Sequence, residues 1–158
     1  MPSIYDAIKA DHDRHRALLD RIAGTTGDSD DRRAAWAEFY RDVKSHAAAE
    51  EETFYSRLIS KTWGQDAARH SVHEHQQLDD LLEDLNTMDM SSPGWLNRFH
   101  TLQHDYLHHI EEEEDEVFAR ARREIDPAEI DGYGARFLDR KKQEAKLVEK
   151  KRADQLED

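Results

Sequence analysis

Apolar side chains recur at three- and four-residue steps along most of the chain, which is the spacing of one face of an amphipathic helix. This pattern predicts a first helix between Ser3 and Gly24 and further helices at about 30–60, 65–86 and 93–124. The alternation of apolar and polar residues that a half-buried strand produces is absent. Four helices with short connections predict an all-α protein that folds as an antiparallel up-down-up-down four-helix bundle.

Local signals place the helix boundaries. Ser3 and Ser92 are expected to cap the first and fourth helices, and Pro93 suits the first helical position of the fourth. The stretch from Lys61 to Gly64 is expected to break the chain between the second and third helices.

A further, strongly charged helix is predicted near the C-terminal end. Asp126 and Pro127 should begin a short turn, Gly132 and Gly134 should end it, and 135–156 should be helical. Four apolar residues are expected to dock this helix: Phe137, Leu138, Leu147 and Val148. We therefore divide the chain into a four-helix bundle, 1–125, and a charged helical appendage, 126–158, that is partly mobile.

Histidine and glutamate interrupt the apolar stripes at matching positions. The second and fourth helices each carry His-x-x-x-Glu, whose two side chains share one helix face, and a 63-residue internal repeat relates the two motifs. The same repeat relates one histidine on the first stripe to one on the third. Buried polar groups need partners, and metal ions are the strongest available. The candidate ligands for two metal ions are His12, His46, Glu50, His75, His109 and Glu113.

Six other histidines are not assigned to the metal site. His104 and His108 form a rival i, i+4, i+8 series with Glu112, but turning that face inward would expose the apolar stripe of the fourth helix. We therefore expect the following histidines at the surface: His70, His73, His100, His104 and His108.

Two more residues lie near the expected site. His15 falls one turn from His12 on the inner side, where core packing is favoured; the alternatives are that it supports the ligands or is an extra ligand itself. Tyr106, one turn before His109, is expected in the core, with a role beside a metal-bound oxygen species as the alternative.

The composition of the chain excludes several classes of partner and of binding site. The formal charge of −13 argues against nucleic acid or an anionic membrane surface as a partner. The chain has no cysteine, which excludes disulfides, thiolate-bound zinc and iron–sulfur ligation. Neither a membrane-spanning apolar run nor a signal-peptide pattern is present, so a soluble cytoplasmic protein is expected.

The donor set indicates which metal chemistry to expect. Imidazole and carboxylate without thiolate suit iron, manganese, zinc or copper. Two bridging carboxylates with two histidines for each ion favour a non-haem di-iron centre. Ferritin-like di-iron proteins instead use four glutamates with a Glu-x-x-His spacing, and that spacing does not occur here.

Four motifs together resemble the hemerythrin-like, or HHE cation-binding, family over about residues 4–122. They are Asp11-His12, His46-x-x-x-Glu50-Glu51, Glu74-His75 and His109-x-x-x-Glu113-Glu114. The resemblance implies a four-helix bundle around two iron ions with an oxo or hydroxo bridge. The four histidines would be terminal ligands, and Glu50 and Glu113 would be the bridging carboxylates.

Two departures distinguish this chain from oxygen-carrying hemerythrins. Ser71 stands where those proteins have a fifth histidine, and the fourth-helix carboxylate is a glutamate four residues after His109 instead of an aspartate five residues after it. Both differences argue against reversible oxygen carriage. The four-His, two-Glu set is similar to a subgroup linked to peroxide disproportionation, and also to di-iron proteins linked to nitric oxide and iron-centre repair. The latter usually carry a Cys-containing N-terminal segment, which this chain lacks.

The sequence therefore predicts a redox-active di-iron protein whose substrate is H2O2, O2 or NO, with peroxide disproportionation in oxidative-stress defence favoured. Whether it turns over as a catalase-like oxidoreductase stays open. The main alternative is a sensor or store for oxygen, nitric oxide or iron that binds without turnover. A third possibility is a bundle that holds manganese or zinc structurally.

Overall fold

The computed structural model describes the backbone of residues 2–157 and the side chains of residues 2–153. These residues form five long helices and no β-strand, so the all-α prediction is confirmed. The helices are α1 (Ile4–Ala23), α2 (Asp30–Glu50), α3 (Thr62–Thr87), α4 (Pro93–Glu112) and α5 (Tyr133–Glu157). No helix in this described part combines the length and the apolar character that crossing a bilayer requires.

Both helices that carry a His-x-x-x-Glu motif change their winding after it. α2 continues through a π-helical turn, Glu51–Tyr55, into a short α-helical segment, Ser56–Leu58. α4 continues in the same way through Glu113–Val117 into Phe118–Glu124. Such π turns are rare and occur mostly inside α-helices at functional sites. The first π turn begins just after Glu50 and the second at Glu113, within one residue of equivalent repeat positions, so the internal repeat extends to the backbone.

The serine caps predicted from the sequence are confirmed. Ser3 Oγ accepts a hydrogen bond from the backbone N–H of Asp6 at 3.1 Å, and Ser92 Oγ accepts one from Gly94 at 3.2 Å. Pro93 occupies the first position of α4, where its missing N–H would have no helical partner in any case.

Two glycines that were expected to break helices instead lie inside them. α3 begins at Thr62 and not at 65, so Gly64 belongs to its first turn. A Cβ on Gly64 would overlap the carbonyl oxygen of Leu58, which means that glycine is needed there for close packing of two backbones. Gly134 similarly lies within α5, where a Cβ would overlap the carbonyl oxygen of Pro2. Gly132, with φ of 81°, is the residue that separates α5 from the preceding turn.

Two apolar clusters fill the bundle, one at each end. The first contains large side chains from α1 to α4, including Trp36, Phe39, Trp95 and Phe99. The second contains Ile8, Phe54, Leu58, Phe118 and Phe137. The histidines and glutamates of the predicted site lie between these clusters, so the bundle core is interrupted by one polar layer.

The last helix packs more closely on the bundle than its apolar content predicted. α5 lies against α1 and α2, with Phe137 fully buried and Lys141 only 9% exposed. Leu138 and Leu147, which we expected to dock, are 37% and 52% exposed. They point away because the face toward the bundle follows the helical steps from Phe137 to Lys141 and on to Val148. The division of the chain at residue 125 stays a prediction.

The close approach at Gly64 leads to a test of the packing. We expect Gly64→Ala to lower the free energy of unfolding by about 1–3 kcal/mol, because the added methyl forces the start of α3 away from Leu58. Gly94→Ala, also in the first turn of a helix, is the matched control: its nearest neighbouring atom would be 3.5 Å away. Chemical denaturation of both variants measures the difference, and equal stabilities would contradict this role of Gly64.

Candidate metal centre

Four histidines and two glutamates from four helices meet in one buried layer across the bundle. α1 and α3 each contribute one histidine, whereas α2 and α4 each contribute a histidine followed four residues later by a glutamate. Every one of these residues is at most 7% exposed. The structure thus brings together all six residues selected from the sequence: His12, His46, Glu50, His75, His109 and Glu113.

Each glutamate reaches histidines from both halves of the repeat. Glu50 lies 2.9 Å from His46 Nε2 through one oxygen and 3.4 Å from His75 Nε2 through the other. Glu113 lies 3.2 Å from His12 Nε2 through one carboxylate oxygen and 3.9 Å from His109 Nε2 through the other. The histidines form two pairs, whose ring centroids are 5.1 and 5.0 Å apart, with the carboxylates between them.

These side chains are arranged as two overlapping groups of possible metal ligands. One consists of His12, His46, Glu50 and Glu113, and the other of Glu50, His75 and His109. Within each group, one nitrogen or oxygen atom of every residue lies within 4.8 Å of the others. The cluster is therefore able to hold a metal ion.

Unpartnered atoms at the centre fit that interpretation. His12 Nε2, Glu50 Oε1 and Glu113 Oε1 are buried and lie 3.2–3.4 Å from a neighbouring nitrogen or oxygen of the layer, but none of them makes a hydrogen bond of normal geometry with a described group. A buried polar atom without a partner costs roughly 1–3 kcal/mol, and more if it is charged. Imidazole nitrogen and carboxylate oxygen are good donors for transition metals, so the residues present suit a cation that would satisfy all three atoms.

A second set of carboxylates orients the histidine rings from outside. Each ring directs Nδ1 to a carboxylate at 2.7–2.9 Å, which leaves Nε2 directed to the centre. Two of the carboxylates precede a histidine in the sequence but bind the ring on the neighbouring helix. The four pairs are Asp11 with His46, Glu74 with His109, Glu51 with His75 and Glu114 with His12. The repeat had marked these acidic residues, but their roles and pairing were not predicted.

The acidic surroundings strongly favour positive charge in the layer. Burial alone would lower the pKa of His46, yet Glu50 and Asp11 raise it to about 9. Burial likewise opposes protonation of His75, whereas Glu50 and Glu51 raise its pKa to about 10. A metal cation would draw on the same attraction that these carboxylates exert on a proton.

His15 lies below the layer in the core, outside the two ligand groups. Burial lowers the pKa of His15 to about 4, so the ring is neutral at pH 7. Its Nε2–H donates to Asp42, and its Nδ1 accepts from the Tyr106 hydroxyl at 2.7 Å. His15 is fully buried and its ring centroid is 5.2 Å from that of His46, so the expectation that it packs in the core is confirmed.

Lys141 connects α5 to this network. Its Nζ lies 2.9 Å from Asp11 and 2.8 Å from Asp42, and these two carboxylates hold His46 and His15 respectively. Lys141 was missed from the sequence because one lysine in a highly charged helix carries no local signal.

The remaining site residues divide between surface and core. The five histidines expected at the surface are all exposed, with the His104 side chain at 85% and the His70 side chain at 54%. Tyr55 is a buried residue whose role the sequence did not reveal: its hydroxyl donates to Glu113, whereas the repeat has Phe118, which carries no hydroxyl, at the matching position.

Comparisons with known proteins agree with this arrangement. The family model of the hemerythrin HHE cation binding domain matches residues 3–121. The crystal structure of a hemerythrin HHE cation binding domain-containing protein from Mycobacterium kansasii aligns with a TM-score of 0.79 and 26% identity, over 93% of this chain and 90% of that one. A Nostoc protein named DNA nickase is 25% identical over 135 residues, which make up 85% of this chain and 38% of the relative.

The contacts of Asp42 predict how stability depends on pH. Burial opposes its ionisation, but His15 and Lys141 hold the pKa of its carboxyl well below the usual range. Such a group stabilises the fold above its unfolded pKa of about 4 and loses that contribution as the pH falls further. We expect Asp42→Asn to destabilise the metal-free protein by about 1–3 kcal/mol at pH 7, with a smaller difference at pH 3.

Thermal melts of both proteins from pH 7 to pH 3 measure this difference. Asp80→Asn, on an exposed face of α3, is the control and should change the melting temperature little at any pH. A destabilisation by Asp42→Asn that stays constant down to pH 3 would contradict the prediction.

Proposed function

Because the chain belongs to the hemerythrin HHE cation-binding domain family, we propose that its buried layer holds two iron ions that react with a small oxidant. The oxidant class is H2O2, O2 or NO. We favour peroxide disproportionation in oxidative-stress defence, in which one H2O2 is oxidised to O2 while a second is reduced to two molecules of water.

The observation that carries the proposal is the pairing of donors around two shared carboxylates. Each half supplies two histidines, and Glu50 and Glu113 each reach a histidine of both halves. Two ions of one kind would thus meet similar donors. Iron would supply reversible one-electron redox chemistry, which zinc lacks, and this donor type also suits manganese.

The protein's own residues would control the surroundings of the ions. The outer carboxylates hold each imidazole by Nδ1, which fixes Nε2 toward the centre and increases its strength as a ligand. The apolar clusters on both sides shield the layer from bulk water along the bundle axis. The Tyr55 hydroxyl donates to Glu113 and can hold that carboxylate in one orientation.

A sensor or store without turnover is the second candidate, and the contacts of α5 favour it. Lys141 joins α5 to Asp11, and Asp11 binds His46. A change of charge at the site would therefore act on the contact that holds this helix, which is a physical basis for signalling. A stable and reversible oxygenated spectrum without turnover would support this candidate over the enzyme.

The activity in the name of the Nostoc relative is not part of the function proposed for this chain. This chain spans 38% of that protein, so the named activity can depend on segments outside the shared part. The formal charge of −13 also opposes binding to a phosphate backbone.

Metal binding is tested by removing one proposed ligand. We expect His109→Ala to lose most of the bound iron and part of the thermal stability, because the bound metal contributes to folding free energy. His104→Ala, on the same helix but exposed, should keep two irons per chain. Metal analysis by mass spectrometry and thermal melts measure both effects. Unchanged metal content in His109→Ala would show that the proposed ligand set is wrong.

Turnover is tested separately on the iron-loaded protein. We expect added H2O2 to release O2 in a 2:1 ratio, followed with an oxygen electrode, and His109→Ala to release far less. Two irons per chain without any O2 release would reject peroxide disproportionation while leaving the sensor and the other oxidants. Zinc, or fewer than one metal per chain after iron loading, would reject the di-iron site itself.

A further inference from the structure

We infer that His70, Glu74 and Glu112 form a third cation site, through which divalent metal ions pass on their way to the buried layer. The site lies on the outer side of the bundle, between α3 and α4. None of its three residues is one of the six proposed ligands. Its role as a loading site rests on the proposed metal centre, but its ability to bind a cation does not.

The three side chains are already within coordinating range of one another. His70 Nε2 lies 3.2 Å from Glu74 Oε1 and 3.0 Å from Glu112 Oε1. One nitrogen or oxygen atom from each residue falls within 4.8 Å of the other two. An imidazole with two carboxylates is a common donor set for divalent transition metals.

A cavity of about 270 Å³ connects this group to the buried layer. His70, Glu74 and Glu112 line it together with His109 and Glu113, which are proposed ligands of the centre. Glu74 Oε1 also accepts from His109 Nδ1 at 2.8 Å. A cation held by Glu74 would therefore be one carboxylate away from a histidine of the buried site.

The charge of the cavity wall selects for cations. Five carboxylates line it and no lysine or arginine does, among the residues that the structure describes. One of the five, Asp66, pairs with Arg69, which stays outside the lining. A cleft lined by one sign of charge concentrates the opposite ion and accelerates its binding.

A buried hydroxyl in the same cavity is a second, independent indication of a ligand. Ser71 lines the cavity and is 3% exposed; it lies near the Tyr55 hydroxyl, but its Oγ makes no hydrogen bond of normal geometry with any described group. A buried hydroxyl usually has a partner, and a hydrated cation that moves along the cavity would supply one.

In the part of the chain that the structure describes, the first half of the repeat has buried apolar residues where the second half has this entrance. The positions 63 residues earlier than His70, Ser71 and Glu112 are Ala7, Ile8 and Ala49, which are all buried. Phe137 of α5 lies against His46 on that side, with ring centroids 5.3 Å apart. The opening and its polar residues are therefore specific to the second half and do not follow from the bundle symmetry.

A second opening beside α5 suits cations less well. This cavity, of about 470 Å³, reaches His75 next to Glu51, but its wall includes Lys44 and Lys151 besides acidic and apolar residues. Positive side chains at that wall reduce the attraction for a metal ion. The acidic cavity at His70 is thus the better route for loading.

Loading kinetics test the inference directly. Metal-free protein is mixed anaerobically with Fe2+ in a stopped-flow instrument, and the rate of incorporation and the final iron content are measured. We expect His70→Ala to slow incorporation on the order of 10-fold at an unchanged final content, because the variant loses one of the three donors that hold the ion at the entrance while the six proposed ligands stay intact. His104→Ala, which is exposed and does not line the cavity, should load like the wild type. A wild-type rate in His70→Ala would overturn the inference.

Crystals soaked in Co2+ provide a second measurement that does not depend on the buried centre. An anomalous peak between His70, Glu74 and Glu112, absent from His70→Ala crystals, is expected; no peak in the wild type would overturn the cation site. If the peak is present but the buried layer holds no iron, the proposed function fails and the third site stands. If the buried layer fills with iron but the peak is missing, the third cation site fails and the proposed function stands.

Discussion

The central constraint in this structure is the cost of burying six ionisable side chains in one layer. Isolated charges in an apolar core are strongly unfavourable, so each must be paired or must ligate a metal. The protein meets this requirement in two ways. Outside the layer, four carboxylates accept from the histidine Nδ1 atoms. Inside it, the unpartnered atoms of His12, Glu50 and Glu113 are suited to a cation. If the proposed metal ions bind there, their binding free energy would add to the stability of the fold.

The internal repeat supplies this layer twice, and the residues outside the repeat make the halves different. α5 covers the first half, where Phe137 packs on His46 and Lys141 binds Asp11. The second half has no such cover and carries His70 and Glu112 where the first half has alanines. The two symmetric donor sets can thus differ in access, with the first half covered by α5 and the second half open, without any change in the proposed ligands.

Sequence reasoning was most successful where periodicity and burial act together. The register of His46 and Glu50 on an apolar stripe predicted their inward position, because rotating the helix would have exposed the stripe. Contacts between helices were less predictable: Asp11 binds His46 instead of its neighbour His12, and this follows from how α1 and α2 pack. Gly64 was mistaken for a break because a glycine at a turn and a glycine at a close contact look alike in sequence. The burial of Lys141 depended on the docking of a whole helix.

The two cavities would separate two requirements of the proposed di-iron centre, which are the supply of metal and the access of the oxidant. A metal ion carries charge, so an acidic wall attracts it and holds it near Glu74 and Glu112. H2O2, O2 and NO are uncharged, and the same electrostatic field neither attracts nor repels them appreciably. Their access to the proposed centre would instead depend on cavity width and on the apolar lining beside α5, where Val43 and Leu82 are found. The acidic residues near His70 can therefore influence how fast the centre acquires metal while leaving its encounter with a small oxidant largely unaffected.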